Sequence, residues 1–475
     1  MRPSESQAPL PSQSRSQSRS LALVLGALVV AMANSTAPSP LYRLFQTQWG
    51  FSATTLTLVY AVYSGGVLMT LLSLGPLSDR LRDRRLLIVP ALGVIAAGAL
   101  CIAAATSVGG LIAGRLLSGL GTGALTGAAS AALVELMAPV ARKRAALLAT
   151  TSITAGAALG PALSALALWL HLGPTHLPFI LTALAALGVA GGLLRVGWPA
   201  RTIAATAAPG GVVARPASAM PGATPDAAGD AGTHATDTPH RVHAAGMSAD
   251  TPHMARAADM TAEDAAAAAV QESTLRPDAA PDREPGLLAS CGPAFIVASA
   301  ALALAWAAGA FAMTLAPTLA ERLMGIHDRT VIALLLCALQ IVMGITQLSA
   351  RHAAPRTALV VGTVLVALAV PICALASWWG MAALFCGGTL AIGIGYGAGF
   401  VGAAAMVNDI APAHRRASAV SLFYVVGYGG SALPILAFGA LADAFGFLPA
   451  TALFALASVG VAGAILRVAP RLPAQ

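Results

Sequence analysis

Hydrophobic residues run along this chain in apolar blocks of roughly 20 residues, the length of helix that crosses the hydrocarbon of a bilayer. The blocks fall near 21–45, 53–76, 85–106, 110–138, 144–170, 177–197, 291–320, 328–350, 357–379, 381–408, 416–441 and 447–468. That is six, a gap, and six. Spanning segments must satisfy every backbone polar group internally, so each block predicts a helix. The first is expected to continue past Pro38 and Pro40 toward Phe45 with a kink, because neither proline donates a backbone N–H. Ala31-Met32-Ala33 would also pass as a signal-peptidase site, but cleavage there would leave an odd number of spans.

The gap differs in character from everything around it. Residues 198–288 are rich in Ala, Pro, Asp, Thr and His and poor in large aliphatics, so they bury too little surface to offset chain entropy. A disordered linker is predicted, with one short helix over 261–272 where Thr261-Ala262-Glu263-Asp264 precedes a run of alanines. His234, His240, His243 and His253 there read as compositional bias rather than a metal site. The organisation expected is a tail over 1–20, a six-helix bundle over 21–197, the linker over 198–288, a second bundle over 289–468 and a tail over 469–475.

Composition supports a polytopic membrane protein: 57% of residues are hydrophobic, 10% charged, and the mean hydropathy is +0.77. A soluble domain carries about 25% charged residues. The net charge of +8 sits in short arginine clusters at helix ends, a distribution unlike a nucleic-acid-binding face. Arg2, Arg15 and Arg19, then Arg80 to Arg85, Arg142 to Arg144, Arg351, Arg356, Arg415, Arg416, Arg467 and Arg471 share one side with the linker; the other side has Arg43, Arg322 and Arg329. By the positive-inside rule both termini and the linker are cytoplasmic. The five cysteines form no C-x-x-C pair, so neither a disulfide framework nor a metal or cofactor site is expected.

The two halves repeat each other. Gly119-Leu120-Gly121-Thr122-Gly123-Ala124 is echoed by Gly393-Ile394-Gly395-Tyr396-Gly397-Ala398, and Ala138-Pro139 followed by Arg142-Lys143 is echoed by Ala411-Pro412 followed by Arg415-Arg416. Gly156 and Pro161 correspond to Gly429 and Pro434. Two six-helix bundles in the same orientation are the parallel-repeat design of secondary transporters, with a substrate site between the halves near the midplane. Gly397 to Gly402 also fits the dinucleotide fingerprint literally, but no strand precedes it.

The densest charge outside the linker is Gly75-Pro76-Leu77-Ser78-Asp79-Arg80, continuing to Arg84 and Arg85. Gly75, Asp79, Arg80 and Arg84 resemble the signature between the second and third helices of the major facilitator superfamily, with Arg82 in place of a glycine and Asp83 in place of a basic residue. Arg115 to Gly121 resembles the fourth-helix signature of that family, and Gly156-Ala157-Ala158-Leu159-Gly160-Pro161 the fifth-helix signature of members that exchange drug for proton. The resemblance implies an all-α fold of twelve helices in two repeats, and a cytoplasmic charge relay in which Asp79 meets the start of the eleventh helix and Glu135 pairs with Arg80 or Arg84.

Arg115 is the deepest basic residue, and an arginine in hydrocarbon costs about 2.5–3.5 kcal/mol on insertion scales. The family resemblance turns it toward the cavity as a coupling residue; the alternative is snorkelling to the nearby surface. No Asp or Glu lies deep in a span, so a neutral or anionic substrate is favoured over a cation. Asn34, Tyr63, Thr122, Thr126, Trp306, Gln340, Tyr396 and Tyr424 are the expected cavity side chains. The function these features point to is proton-coupled efflux of a small organic compound by a monomer in the bacterial inner membrane. The alternatives are an importer or facilitator of a small metabolite and, in another class, a non-transporting receptor. Clustered catalytic residues at one depth are lacking, which argues against an enzyme.

Overall fold

The computed structural model describes residues 11–80, 83–137, 142–198, 287–412 and 415–471, and every regular element among them is helical. The chain forms α1 (Pro11–Thr36), α2 (Tyr42–Trp49), α3 (Ala53–Arg80), α4 (Arg85–Ala103), α5 (Val108–Leu136), α6 (Arg142–Trp169) and α7 (Leu177–Arg195). The second half forms α8 (Leu287–Thr314), α9 (Ala316–Leu323), α10 (Arg329–Ala350), α11 (Pro355–Trp379), α12 (Ala382–Ile410), α13 (Arg416–Phe445) and α14 (Phe447–Val468). Twelve of these are long and apolar enough to cross a membrane; the short α2 and α9 are the others. The histidines and the short helix expected over 261–272 lie outside the described residues.

Two expected spans divide. Instead of kinking at Pro38 and Pro40, α1 ends at Thr36, a 3-10 turn covers Ser39–Leu41, and α2 restarts at Tyr42. Two prolines so close remove two amide donors from one turn, more than a continuous helix absorbs. The seventh span, read as unbroken over 291–320, stops at Thr314, and α9 begins with Pro317 near its first position, where a missing N–H costs nothing.

The repeated glycines do the same work in each half. A Cβ on Gly119 would fall on the Tyr63 backbone, and one on Gly123 would sit 2.7 Å from the Val67 carbonyl oxygen, so both face α3. A Cβ on their counterparts Gly393 and Gly397 would lie 2.9 Å from the Leu339 oxygen and 2.5 Å from that of Met343, so these face α10. Between them, Gly121 faces α4 and Gly395 faces α11, where an added Cβ would lie 2.9 Å from the Ala91 oxygen and 2.9 Å from the Val366 nitrogen. Lipid tails offer no hydrophobic gain for helix association, so backbone-to-backbone contact through glycine supplies the packing instead.

The halves meet along two seams, α6 against α10 and α3 against α13. In the first, Gly344 makes room for Thr154, whose hydroxyl donates to Gln347 Oε1 at 3.3 Å. In the second, Tyr60 reaches Ser431 by a side-chain hydrogen bond.

Candidate functional site between the halves

Arg115 is 2% exposed, so it does not snorkel. Its Nη1 donates to the Ser35 carbonyl at 2.9 Å, and its guanidinium carbon lies 4.2 Å from the centre of the Tyr63 ring. The break in α1 explains this partner. The last carbonyls of a helix lack intrahelical donors and carry the negative end of its dipole, so a cation is favoured there. A proline-terminated α1 thus offers the arginine of α5 a backbone acceptor inside the bundle, and the Tyr63 π-face covers it.

Around this contact between a cation and a helix end, several buried polar atoms have no hydrogen-bond partner: both amide atoms of Asn34, Nε of Arg115, and the hydroxyls of Ser118, Thr122 and Tyr42. Asn34 and Thr122 are 0% and 1% exposed. Thr126 is partly exposed and spends its hydroxyl on the Thr122 carbonyl at 2.5 Å. Gln340 is buried on α10.

The second half presents rings rather than polar groups. Trp306 contacts Tyr428 edge-on at 4.6 Å between centroids, Tyr424 at 6.0 Å and Phe400 at 6.3 Å, and Phe400 stacks with Tyr396. Gly309 leaves the space that the Tyr396 ring fills, and Gly427 lets Trp306 lie against α13. The indole Nε1 of Trp306 is buried and faces the Tyr396 side chain. Tyr428, Phe400 and Tyr60 join this wall without having been singled out from sequence. Helical spacing was the available signal, since Tyr424 and Tyr428 are four apart on α13, as are Tyr396 and Phe400 on α12.

Gly156 and Gly160 lock α6 to α1. A Cβ on Gly156 would lie 2.8 Å from Met32 Cβ, and one on Gly160 would lie 2.7 Å from the Ala37 nitrogen. Thr36 donates across to the Ala157 carbonyl at 3.0 Å, and Ser164 donates to the Ala37 carbonyl at 2.7 Å. Pro161 lies inside α6.

At the face that carries the ends of α3, α5 and α7, Arg84 is 3% exposed and holds Glu135 Oε1 through Nε at 3.1 Å and Nη2 at 3.0 Å. Asp83 pairs locally with Arg85 at 2.8 Å. Partial burial would raise the Asp83 carboxyl, but hydrogen bonds from the Arg85 side chain and amide, with its charge, hold it below the usual range. Gly75, Asp79 and Arg80 fall in the last two turns of α3; the side-chain contacts of Asp79 and Arg80, and with them the expected contact of Asp79 to the eleventh spanning helix, are not among those described.

The opposite face carries charges that sequence reading had treated as sparse. Glu321 on α9 lies 3.3 Å from Arg43 of α2 and 3.8 Å from Arg329 of α10, bridging the halves. Among the described residues no group of three or more His, Cys, Asp or Glu could hold a metal ion.

Twelve helices long and apolar enough to cross a membrane, in two bundles of six, form an architecture that parallel-repeat secondary transporters use. Residues 23–232 match the family model described as Major Facilitator Superfamily. No curated protein matches the chain. Among solved structures, a POT family transporter in complex with a thioalcohol-conjugated peptide is 12% identical, with a TM-score of 0.68 and 96% of each chain covered. A bacterial homolog of the human lysosomal transporter Spinster, inward-facing and unoccupied, is 13% identical, with a TM-score of 0.67 and 98% of each chain covered. A D-xylose-proton symporter is 14% identical, with a TM-score of 0.65, 96% of this chain and 97% of that one covered. At such identities the likeness speaks for the fold.

Proposed function

We propose that this chain exports a neutral or anionic small organic compound in exchange for protons, by alternating access across the bacterial inner membrane, with its termini cytoplasmic. The observation that carries the reading is the buried Arg115, held by a helix end and an aromatic ring rather than by a carboxylate. A fixed positive charge there repels a cationic substrate and supports one with an acceptor or an anionic group, while the Trp306 wall suits a flat apolar face. Arginine keeps its proton throughout a working cycle, so its role is that of a fixed charge. A second reading, proton-driven uptake, is favoured by the solved relative named as a D-xylose-proton symporter.

The test is transport of labelled neutral, anionic and cationic compounds in vesicles, with and without a proton gradient. Wild type should move neutral or anionic compounds outward when a gradient is imposed. Arg115→Ala should lose gradient-driven transport and Arg115→Lys should keep part of it. Cation export, or wild-type rates from Arg115→Ala under all conditions, would refute the reading.

A further inference from the structure

At the face that bears Arg43 and Glu321, the first turn of α3 is capped by a residue from the other half of the molecule. A helix leaves its first four N–H groups without intrahelical partners. Ser52 Oγ accepts from the Thr55 amide at 3.2 Å in the usual capping manner. Two further donors go to Asp443, at the end of α13. Its Oδ1 accepts from the Ala53 amide and its Oδ2 from the Thr54 amide, each at 2.8 Å. The carboxylate also lies at the positive end of the α3 dipole.

One turn earlier, Gly439 makes the approach possible. A Cβ there would fall on Thr57 Oγ1 and lie 2.9 Å from both the Ala53 oxygen and Thr54 Cα. Thr57 is fully buried and donates back to the Thr54 carbonyl at 2.9 Å, so it has no room to yield. Glycine for contact and aspartate for capping are therefore spaced four apart, Gly439-Ala440-Leu441-Ala442-Asp443. The same glycine-x-leucine-x-aspartate spacing closes α3 itself, at Gly75-Pro76-Leu77-Ser78-Asp79. The two helices run antiparallel along the seam, so each ends in this pattern at the face where the other begins.

We infer that Asp443 is a latch: its bidentate grip on the Ala53 and Thr54 amides holds α13 against α3 and keeps the Arg43–Glu321 face of the transporter closed. Opening that face requires the halves to part there, which exposes the two α3 amides to water and frees the carboxylate. The Glu321 bridge to Arg43 and Arg329 works in the same sense between α2 and the second half. Asp443 is itself solvent-exposed, so water replaces the lost bonds readily, as a contact that must break in every cycle requires. Arg322 lies within electrostatic reach of the carboxylate.

The experiment measures the conformational equilibrium and needs no substrate, so its outcome is independent of the transport reading. Spin labels at Thr106→Cys and Met381→Cys, exposed positions on the same face in different halves, report its opening in proteoliposomes once the five native cysteines are replaced. Asp443→Ala should raise the ratio of open to closed distances by about two- to tenfold, the worth of an anion at a helix N-terminus. Asp443→Asn should fall between the two. Ala53→Pro tests the same contact from the other side, removing one donor at a helix position that tolerates proline. It should open the face in part and add little to Asp443→Ala, since both break one interaction. Unchanged distance populations in Asp443→Ala, or full additivity of the pair, would overturn the latch.

Discussion

Gly160 offers a direct measure of how much the α1–α6 contact contributes. Its missing side chain lets α6 touch α1 where α1 ends: an added Cβ would fall on Thr36 Oγ1 and the Ala33 oxygen and lie 2.7 Å from the Ala37 nitrogen. Two of these are backbone atoms, which cannot rotate away. Gly160→Ala must therefore push the helices apart, and overpacking of this kind costs about 1–3 kcal/mol. The displacement would also stretch the cross-helix bonds from Thr36 to Ala157 and from Ser164 to Ala37, each worth about 0.6 kcal/mol inside a membrane bundle. Against this, alanine returns about 0.8–1 kcal/mol of helix propensity. A net loss of about 1–3 kcal/mol remains. Gly188→Ala is the control, for no neighbouring atom lies within 4 Å of the point its Cβ would occupy and only the propensity gain applies. Denaturation of the purified protein in detergent should thus separate the two variants in opposite directions from wild type. Because Ser35 at the end of α1 anchors Arg115, Gly160→Ala should also lower gradient-driven transport. Equal stability of the two alanine variants would refute the close-contact argument.

Arg84→Lys should cost about 1–2 kcal/mol of stability, because an ammonium cannot reproduce the paired Nε and Nη2 contacts to Glu135; a denaturation midpoint equal to wild type would count against the pair. Replacing residues 202–284 with a Gly/Ser chain of the same length should preserve transport in vesicles, since a segment of that composition joins the halves without supplying a core; loss of transport by a correctly inserted variant would show that it binds something the cycle needs.

What was legible in the sequence follows from the strength of each physical constraint. A bilayer penalises charge and unsatisfied backbone so severely that apolar blocks betray the twelve spans, and the close approach of helices left glycines at matching places in both halves. Arg115 stood out for the same reason, as a charge whose cost needs an offset. Its partner did not, because a backbone carbonyl such as that of Ser35 carries no side-chain signature. The division of the seventh span at Leu315 did carry a local signal, Pro317, which the apolar run on either side of it outweighed. Contacts across the seam were the least visible: Ala53 and Asp443 are 390 residues apart, and nothing local in either segment announces the other.

The offset of 274 that aligns the repeats (393 − 119) also locates where they part company. Gly119, Gly121 and Gly123 keep glycine at 393, 395 and 397, since those positions are in contact with neighbouring backbones in both halves. The positions free of that duty have diverged. Arg115 corresponds to Thr389, an uncharged residue that bonds to the Phe385 carbonyl of its own helix at 2.8 Å and reaches the Cys373 side chain of α11. Thr122 corresponds to Tyr396, and Thr126 to Phe400. One backbone arrangement therefore carries a cation and hydroxyls in the first half and stacked rings in the second. Two bundles of the same architecture can then meet a single molecule with different chemistry, the first suited to an acceptor or anionic group and the second to a flat apolar surface. Under the transport reading, that asymmetry is what would select the substrate, since a symmetric pair of bundles would offer both ends of a molecule the same environment.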